Sequence, residues 1–340
     1  MDYKKPQSTL VQGGMGIYPL TTADQVILAD GSRLEKDGRI SADSAANSAK
    51  LGGKAPEYYL QPRNLLDNSD FRNPVNQRGI TYGANRNNGY TIDRWYYEQS
   101  AGAGDGYFGL TEYYVSLLAP SDGYSQMYQN LEKYAKLKGK NVTFAARVNR
   151  GNVEKTVCVT FTLGSIAVGL KLFEDGSLKL YSIDGMNILI RATGAEEFQF
   201  IWAALYEGSY TADTLPPYVP KGYAAELAEC KKQVAVFGRD SGDEKFVAGY
   251  GSIISTTSAN IYIPYPTKMR VNPTISDTSG SNWILRSNGK TYSPKSISPW
   301  FSSEYVIGIR VAGAFSSEDV GKTAILNSDT STKVVFSSEM

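Results

Sequence analysis

The chain is expected to be mainly β: a short N-terminal β and helical stalk segment, then a β-sandwich, then a second C-terminal β-sandwich head. Three observations predict this. Apolar residues alternate with other residues in short runs, as Val142, Phe144, Ala146 and Val148 do with Thr143, Ala145 and Arg147. Gly-rich turns separate these runs. No long amphipathic helical pattern alternates with them, which argues against a doubly wound α/β fold.

Residues 1–62 form the stalk segment. Val26-Ile27-Leu28 is a short apolar run, with turn signals at Asp30-Gly31 and Asp37-Gly38. Ser41 is an N-cap candidate, and Ala42, Ala45, Ala46 and Ala49 follow at helical spacing on one stripe. Gly52-Gly53 stops that helix and Pro56 prevents its restart. An isolated helix this short is marginal in water, but an alanine stripe lets backbones approach closely, which suits three copies around an axis.

Residues 63–219 form the first large domain. Val157, Val159, Phe161 and Leu163 repeat the strand pattern, as do Phe198, Phe200, Trp202, Ala204 and Tyr206. Leu170 to Phe173 and Leu178 to Tyr181 flank Asp175-Gly176 and predict a hairpin. Pro216, Pro217 and Pro220 end the domain in stiff chain. Residues 220–232 contain a short linker helix from Gly222 to Lys232, with Ala225, Leu227, Ala228 and Val234 expected inside. Residues 233–340 make the head, where Ile261, Ile263 and Tyr265 alternate, as do Ile307, Ile309 and Val311.

Composition narrows the chemistry. The 340 residues carry 35 basic and 34 acidic side chains, a balance that favours neither nucleic acid nor an anionic membrane. The chain contains no histidine, which removes Ser-His-Asp and Cys-His catalysis and the commonest metal ligand. Cys158 and Cys230 are too few for a disulfide scaffold. Met1 to Pro6 leads into no apolar signal core, and no apolar run is long enough to span a bilayer, so neither secretion nor membrane insertion is expected. Gly321-Lys322-Thr323 lacks the upstream glycine of a phosphate-binding loop. The acidic cluster Asp240, Asp243 and Glu244 reads as a solvated turn.

Glycan binding needs flat aromatic faces beside a few placed polar groups. Asn282, Trp283, Arg286, Asn288, Tyr292 and Trp300 supply both in the head; core packing is the competing role for the two tryptophans. Tyr96 and Tyr97 are secondary candidates, next to a Trp95 expected in the core. Glycoside hydrolysis needs two carboxylates, and Asp93, Glu98, Asp105, Glu112 and Glu207 are available without a diagnostic spacing. No enzymatic activity is expected.

Several segments resemble known families. Ala45 to Tyr59, AANSAKLGGKAPEYY, is similar to the Ala-rich helix and Leu-Gly-Gly segment of phage tail fibres. Asn64 to Phe71, NLLDNSDF, and Gly89 to Trp95, GYTIDRW, resemble successive elements of carbohydrate-binding jelly-roll modules. Trp202 to Pro220 resembles the last strand and exit of such a domain. Ile261 to Ile275 and Val334 to Met340 resemble a distal β head that follows it in phage receptor-binding proteins. The resemblance implies a homotrimeric tail-fibre protein on a virion tail or phage-like particle, made in a host bacterial cytoplasm. It implies N-terminal docking to tail or baseplate proteins and distal contact with a bacterial surface glycan. Many such modules hold a structural calcium near the first strand, for which Asp67 and Asp70 are the candidates; capping of a turn is the other role open to them. The alternative functions are a carbohydrate-binding module of a glycan-degrading system, and a structural virion protein without a receptor role.

Overall fold

The computed structural model describes residues 10–12, 15–19, 25–27, 33–35, 62–81, 83–100, 106–165, 167–183, 187–237, 247–276, 278–328 and 334–339. The chain divides into two compact units, residues 1–62 with 214–217 and residues 63–213 with 218–340. The architecture is mainly β, in several antiparallel sheets.

In the first unit, β1 (Leu10–Gln12), β2 (Met15–Pro19), β3 (Gln25–Ile27) and β4 (Arg33–Glu35) form a four-stranded antiparallel meander. The expected alanine helix, with Ala42, Ala45, Ala46 and Ala49, lies outside the described residues.

The second unit starts with a sandwich. Its strands are β5 (Gly83–Asn85), β6 (Gly89–Tyr90), β7 (Tyr96–Gln99), β8 (Tyr107–Leu110), β9 (Val115–Leu118) and β10 (Tyr124–Asn130). After the short helix α1 (Tyr134–Leu137) come β11 (Asn141–Arg150), β12 (Val153–Thr162) and β13 (Ala167–Lys171). Then follow β14 (Leu178–Ile183), β15 (Asn187–Thr193) and β16 (Glu197–Glu207). One sheet runs β13-β14-β15-β10-β7-β6 and the other β12-β11-β16-β9-β8-β5. Phe71, Trp95, Tyr97, Phe108, Phe144, Phe198 and Phe200 are fully buried in one hydrophobic cluster.

The alternation expected along β16 breaks in the middle. Arg147 pairs with Trp202 but Val148 pairs with Phe200, so Ile201 is an extra residue. A one-residue insertion reverses every later side chain. Phe198 and Phe200 point into the core, then Ala203 and Leu205 do. Trp202 instead stacks on Tyr218 at 4.6 Å with parallel rings.

The segment Asn64 to Phe71 is pinned by two asparagines. Asn64 Oδ1 accepts from the Leu66 and Leu205 amides, and its Nδ2 donates to Ser69 Oγ and the Ala203 carbonyl. Asn68, left-handed at φ 51°, donates to the Val75 and Asp93 carbonyls and accepts from the Val75 amide. Asparagine tolerates that conformation better than most residues. The Asn68 carbonyl in turn accepts from Trp95 Nε1 at 2.9 Å.

Helix α2 (Tyr223–Cys230) is shorter than expected and buries a different face. Glu226 and Cys230 are buried, whereas Ala225 and Ala228 are exposed. Glu226 accepts from the Asn68 amide at 2.9 Å and pairs with Lys221, so hydrogen bonding rather than apolar content decides the face.

The head comprises β17 (Val234–Phe237), β18 (Val247–Ser255), β19 (Ser258–Pro264), β20 (Thr274–Ile275) and β21 (Trp283–Ser287). Beyond these are β22 (Lys290–Tyr292), β23 (Ser296–Ser302), β24 (Val306–Ala312), β25 (Thr323–Ser328) and β26 (Val334–Ser337). A seven-stranded sheet of order β22-β21-β25-β18-β19-β24-β23 and a three-stranded sheet β17-β26-β20 supply a second hydrophobic cluster.

The two clusters are joined by buried charge. Arg78 pairs with Asp93 at 3.2 Å and with Glu339, and Glu339 also accepts from the Arg94 amide at 2.6 Å. Nearer the surface, the partly buried Glu132 accepts from Gln233 and pairs with the exposed Arg270 at 2.9 Å. Breaking a buried pair by removing one partner costs on the order of 3–5 kcal/mol. Glu339→Ala is therefore expected to lower the urea midpoint clearly, and an unchanged midpoint would remove this pair from the account.

Burial pushes the Asp93 carboxyl up to about 6, against the pull of Arg78 and Gln77. The folded chain then takes up this proton before the unfolded chain does, so Asp93 makes stability fall as pH rises from about 4 to about 6. Asp93→Asn removes that slope. Unfolding midpoints followed across this window are expected to be flatter in the variant than in the wild type.

Candidate functional site

The six head candidates do not form one site. Trp283 is 1% exposed: it and Leu285 point into the head core from a strand inside the sheet, so it presents no surface to a ligand. Asn288 and Gly289 both have positive φ, 51° and 75°, and make the two-residue turn between β21 and β22. An Asn-Gly pair suits that turn because both positions must be left-handed. The Asn288 side chain donates to Asp319 at 3.1 Å, and the Tyr292 hydroxyl donates to the same carboxylate, holding it below its usual range. These two residues therefore brace the turn at Ser317–Asp319. Asn282 is half-buried beside Trp283.

Arg286 and Trp300 are exposed and belong to one surface, the outer face of the seven-stranded sheet. Ile261, Ile263, Ile307, Ile309 and Leu326 point inward, so their neighbours in sequence point out. Register places those neighbours in two rows. One row runs Arg286, Ile325, Tyr250, Tyr262, Gly308. The next runs Thr323, Ser252, Asn260, Arg310, Ser298. Rows two residues apart on a strand are separated by about 7 Å, and neighbouring strands by about 4.8 Å.

Trp300 joins the first row through a bulge. Pro299 pairs with Ile309 and Phe301 with Gly308, which leaves Trp300 as the extra residue. A bulge redirects a side chain out of the pleat. The indole lies over Gly308, where an added Cβ would come within 3.0 Å of it. It meets the Tyr262 ring edge-on at 5.8 Å and Phe301 at 6.0 Å. Tyr250, Tyr262 and Trp300 are 58%, 45% and 46% exposed. The result is a strip of aromatic surface beside hydroxyl, amide and guanidinium groups. Aromatic faces suit the C–H surface of a sugar ring, and the polar row suits its hydroxyls.

The secondary candidates separate as strand alternation demands. Tyr97 is buried, its hydroxyl 3.1 Å from Ser125 Oγ, and Trp95 is buried with it. Tyr96 points outward, stacked on Tyr128 at 5.0 Å and edge-on to Tyr90 at 5.1 Å. Burial, then Tyr96 and Glu98, raise the Tyr128 hydroxyl above its ordinary value. One row along, Gln126 donates to Glu98 at 2.9 Å and accepts from Arg191 at 2.8 Å. The Arg191 guanidinium lies over Tyr124 at 3.9 Å and Tyr181 at 4.8 Å. The other register partner of Arg191 is Lys179, which pairs in turn with Lys171, so this row sets three cations beside the Glu98 carboxylate.

Other polar groups are engaged within the chain. Asp67 pairs with Lys221 at 2.9 Å and Arg94 at 3.5 Å, and Asp70 with Arg72 at 2.8 Å. Among the described residues, no group of three or more Cys, Asp or Glu is placed to hold a metal ion. A cleft of about 680 Å³ lies beside Asn149, Arg150, Lys155 and Phe173. Its Arg150 is held by Asp175 at 2.6 Å and by Glu196. The Asp240, Asp243 and Glu244 cluster is outside the described residues, and no described helix is long and apolar enough to cross a membrane.

The head face includes residues that sequence reasoning did not single out: Tyr250, Asn260, Tyr262 and Arg310. Their signal was present, since each is next in sequence to an inward-pointing position or alternates with one. What joins them is strand pairing across the sheet. Neither the models of known protein families nor the curated protein sequences match this chain.

Of the four tryptophans, Trp95 and Trp283 are sealed from solvent and Trp300 is the most exposed. Gly308→Val is expected to push the indole off the sheet and increase iodide quenching of tryptophan emission, and Trp300→Phe to remove most of the quenchable signal. Quenching unaffected by either change would contradict the seat of Trp300 on Gly308.

Proposed function

We propose that this protein is a tail-fibre or receptor-binding protein of a bacteriophage or phage-like particle, acting as a trimeric, non-enzymatic adhesin for bacterial surface glycans. The observation that carries the reading is the exposed strip of Tyr250, Tyr262 and Trp300 flanked by Asn260, Arg310, Ser252 and Ser298. The resemblance of the N-terminal and jelly-roll segments to phage fibres supplies the particle. On this reading, residues 1–62 dock to tail or baseplate proteins and set the three-fold stalk. The sandwich is a jelly-roll spacer with a second sugar-facing surface at Tyr96 and Tyr128. Three copies per fibre raise avidity without strengthening any single contact.

The test combines mass and adhesion. Light scattering of the full chain is expected to give a trimer. Truncating an anchoring aromatic typically costs more than 1 kcal/mol per site. Tyr262→Ala with Trp300→Ala is thus expected to reduce retention on host cells at least about tenfold while the trimer persists. A monomeric full chain, or undiminished retention, would defeat the adhesin reading.

A further inference from the structure

We propose that the head face takes an acidic saccharide, with Arg310 as the side chain that recognises its anionic group. This rests on the reading of that face as glycan-binding and adds the charge of the ligand. The seven strands of the sheet contain Arg286, Lys290 and Arg310 but no Asp or Glu. Lys290 is occupied by Glu318 at 3.2 Å and Asp319 at 3.3 Å. Among the described residues, no carboxylate pairs with Arg286 or Arg310. Both are exposed. The face therefore has two guanidinium groups that its own strands do not neutralise.

Position makes Arg310 the recognising group. It is two residues beyond Gly308 on the same strand, so it lies about 7 Å along the face from the row that seats Trp300. Asn260 is its register partner on one side and Ser298 on the other. A pyranose ring resting on Trp300 and Tyr262 carries its ring substituents toward that row. A carboxylate or phosphate there meets a planar guanidinium that can bind it through two parallel hydrogen bonds, with an amide and a hydroxyl beside it for the neighbouring oxygens. Arg286, at the other end of the aromatic row, extends the positive field along the strip.

The sandwich face is arranged differently. There the one guanidinium, Arg191, is bonded to the Gln126 side chain and lies over the Tyr124 and Tyr181 rings, and its other register partner is Lys179.

The test uses the full chain against immobilised oligosaccharides in matched pairs. Hexuronate- and sialate-bearing sugars are set beside their carboxyl-reduced forms, and phosphorylated sugars beside their dephosphorylated forms. Wild type is expected to bind acidic members at least about tenfold better than their neutral partners, as a charged hydrogen bond lost would give. The pair in which that preference appears tells carboxylate from phosphate. The preference is expected to weaken between about 0.05 and about 0.5 M salt. Arg310→Gln is expected to abolish it while leaving the unfolding midpoint intact, and Arg310→Lys to restore part of it. Trp300→Ala is expected to weaken acidic and neutral members alike. Equal binding of acidic and neutral members, or a preference that survives Arg310→Gln, overturns the acidic ligand and leaves the glycan reading standing. Binding to no member overturns both. A smaller solution mass for Arg310→Gln or Trp300→Ala would identify the face as a contact between copies and also overturn the proposal.

Discussion

Buried charge at the junction of the two hydrophobic clusters is the constraint on which the larger unit depends. Ions in an interior are tolerated only when each has partners, because their desolvation exceeds what a single attraction returns. Here one carboxylate, Glu339, meets both the Arg78 guanidinium and the Arg94 backbone amide. The amide is available because Arg94 holds a left-handed φ of 75°, between the buried Asp93 and Trp95. Glu339 thus completes the polar shell of a turn near the start of the sandwich. The same shell reaches Asp67 through Arg94 and α2 through Lys221 and Glu226. Two cores that share no apolar cluster are held in one compact unit by matched charges.

Bulges are the second organising device. Strand alternation sorts side chains into two faces, and an inserted residue resets the sorting. Ile201 does so within β16 and turns Trp202 away from the core that Phe200 enters. Trp300 is itself the inserted residue in β23, an edge strand that also tolerates Pro299. At Ile201 the insertion leaves the Trp202 ring on an outer surface that regular alternation does not predict.

The legibility of the sequence follows from this. The mainly β class, the hairpin at Asp175-Gly176 and the inward positions of β11, β19 and β24 are local patterns of period two, and they were readable. Trp202 was assigned to the wrong face because a bulge leaves no mark in composition. Asn288 looked like a ligand contact because an Asn-Gly turn and an exposed polar loop read alike until φ is known. Helix α2 was misjudged because Glu226 is buried for its hydrogen bonds, whereas apolar spacing suggested Ala225 and Ala228. Of the candidate site, Arg286 and Trp300 were named in advance. That they share a face with Tyr262 and Arg310 depends on the order β21-β25-β18-β19-β24, which links residues far apart in sequence.

The same dependence on register explains why a nearly neutral chain can carry a selective surface. A formal charge of +1 averages over 340 residues and describes no face of the protein. Charge acts within roughly a Debye length, about 8–10 Å at moderate salt, so the partners within one or two strands decide what a guanidinium can bind. On the sandwich sheet, Arg191 has Gln126 as its hydrogen-bond partner and Glu98 one residue further along the same row. On the head sheet, Arg310 has Asn260 and Ser298 as register neighbours, neutral groups that can add hydrogen bonds but cannot cancel its charge. Pairing thus decides which groups surround each guanidinium, Gln126 and Lys179 for Arg191, Asn260 and Ser298 for Arg310.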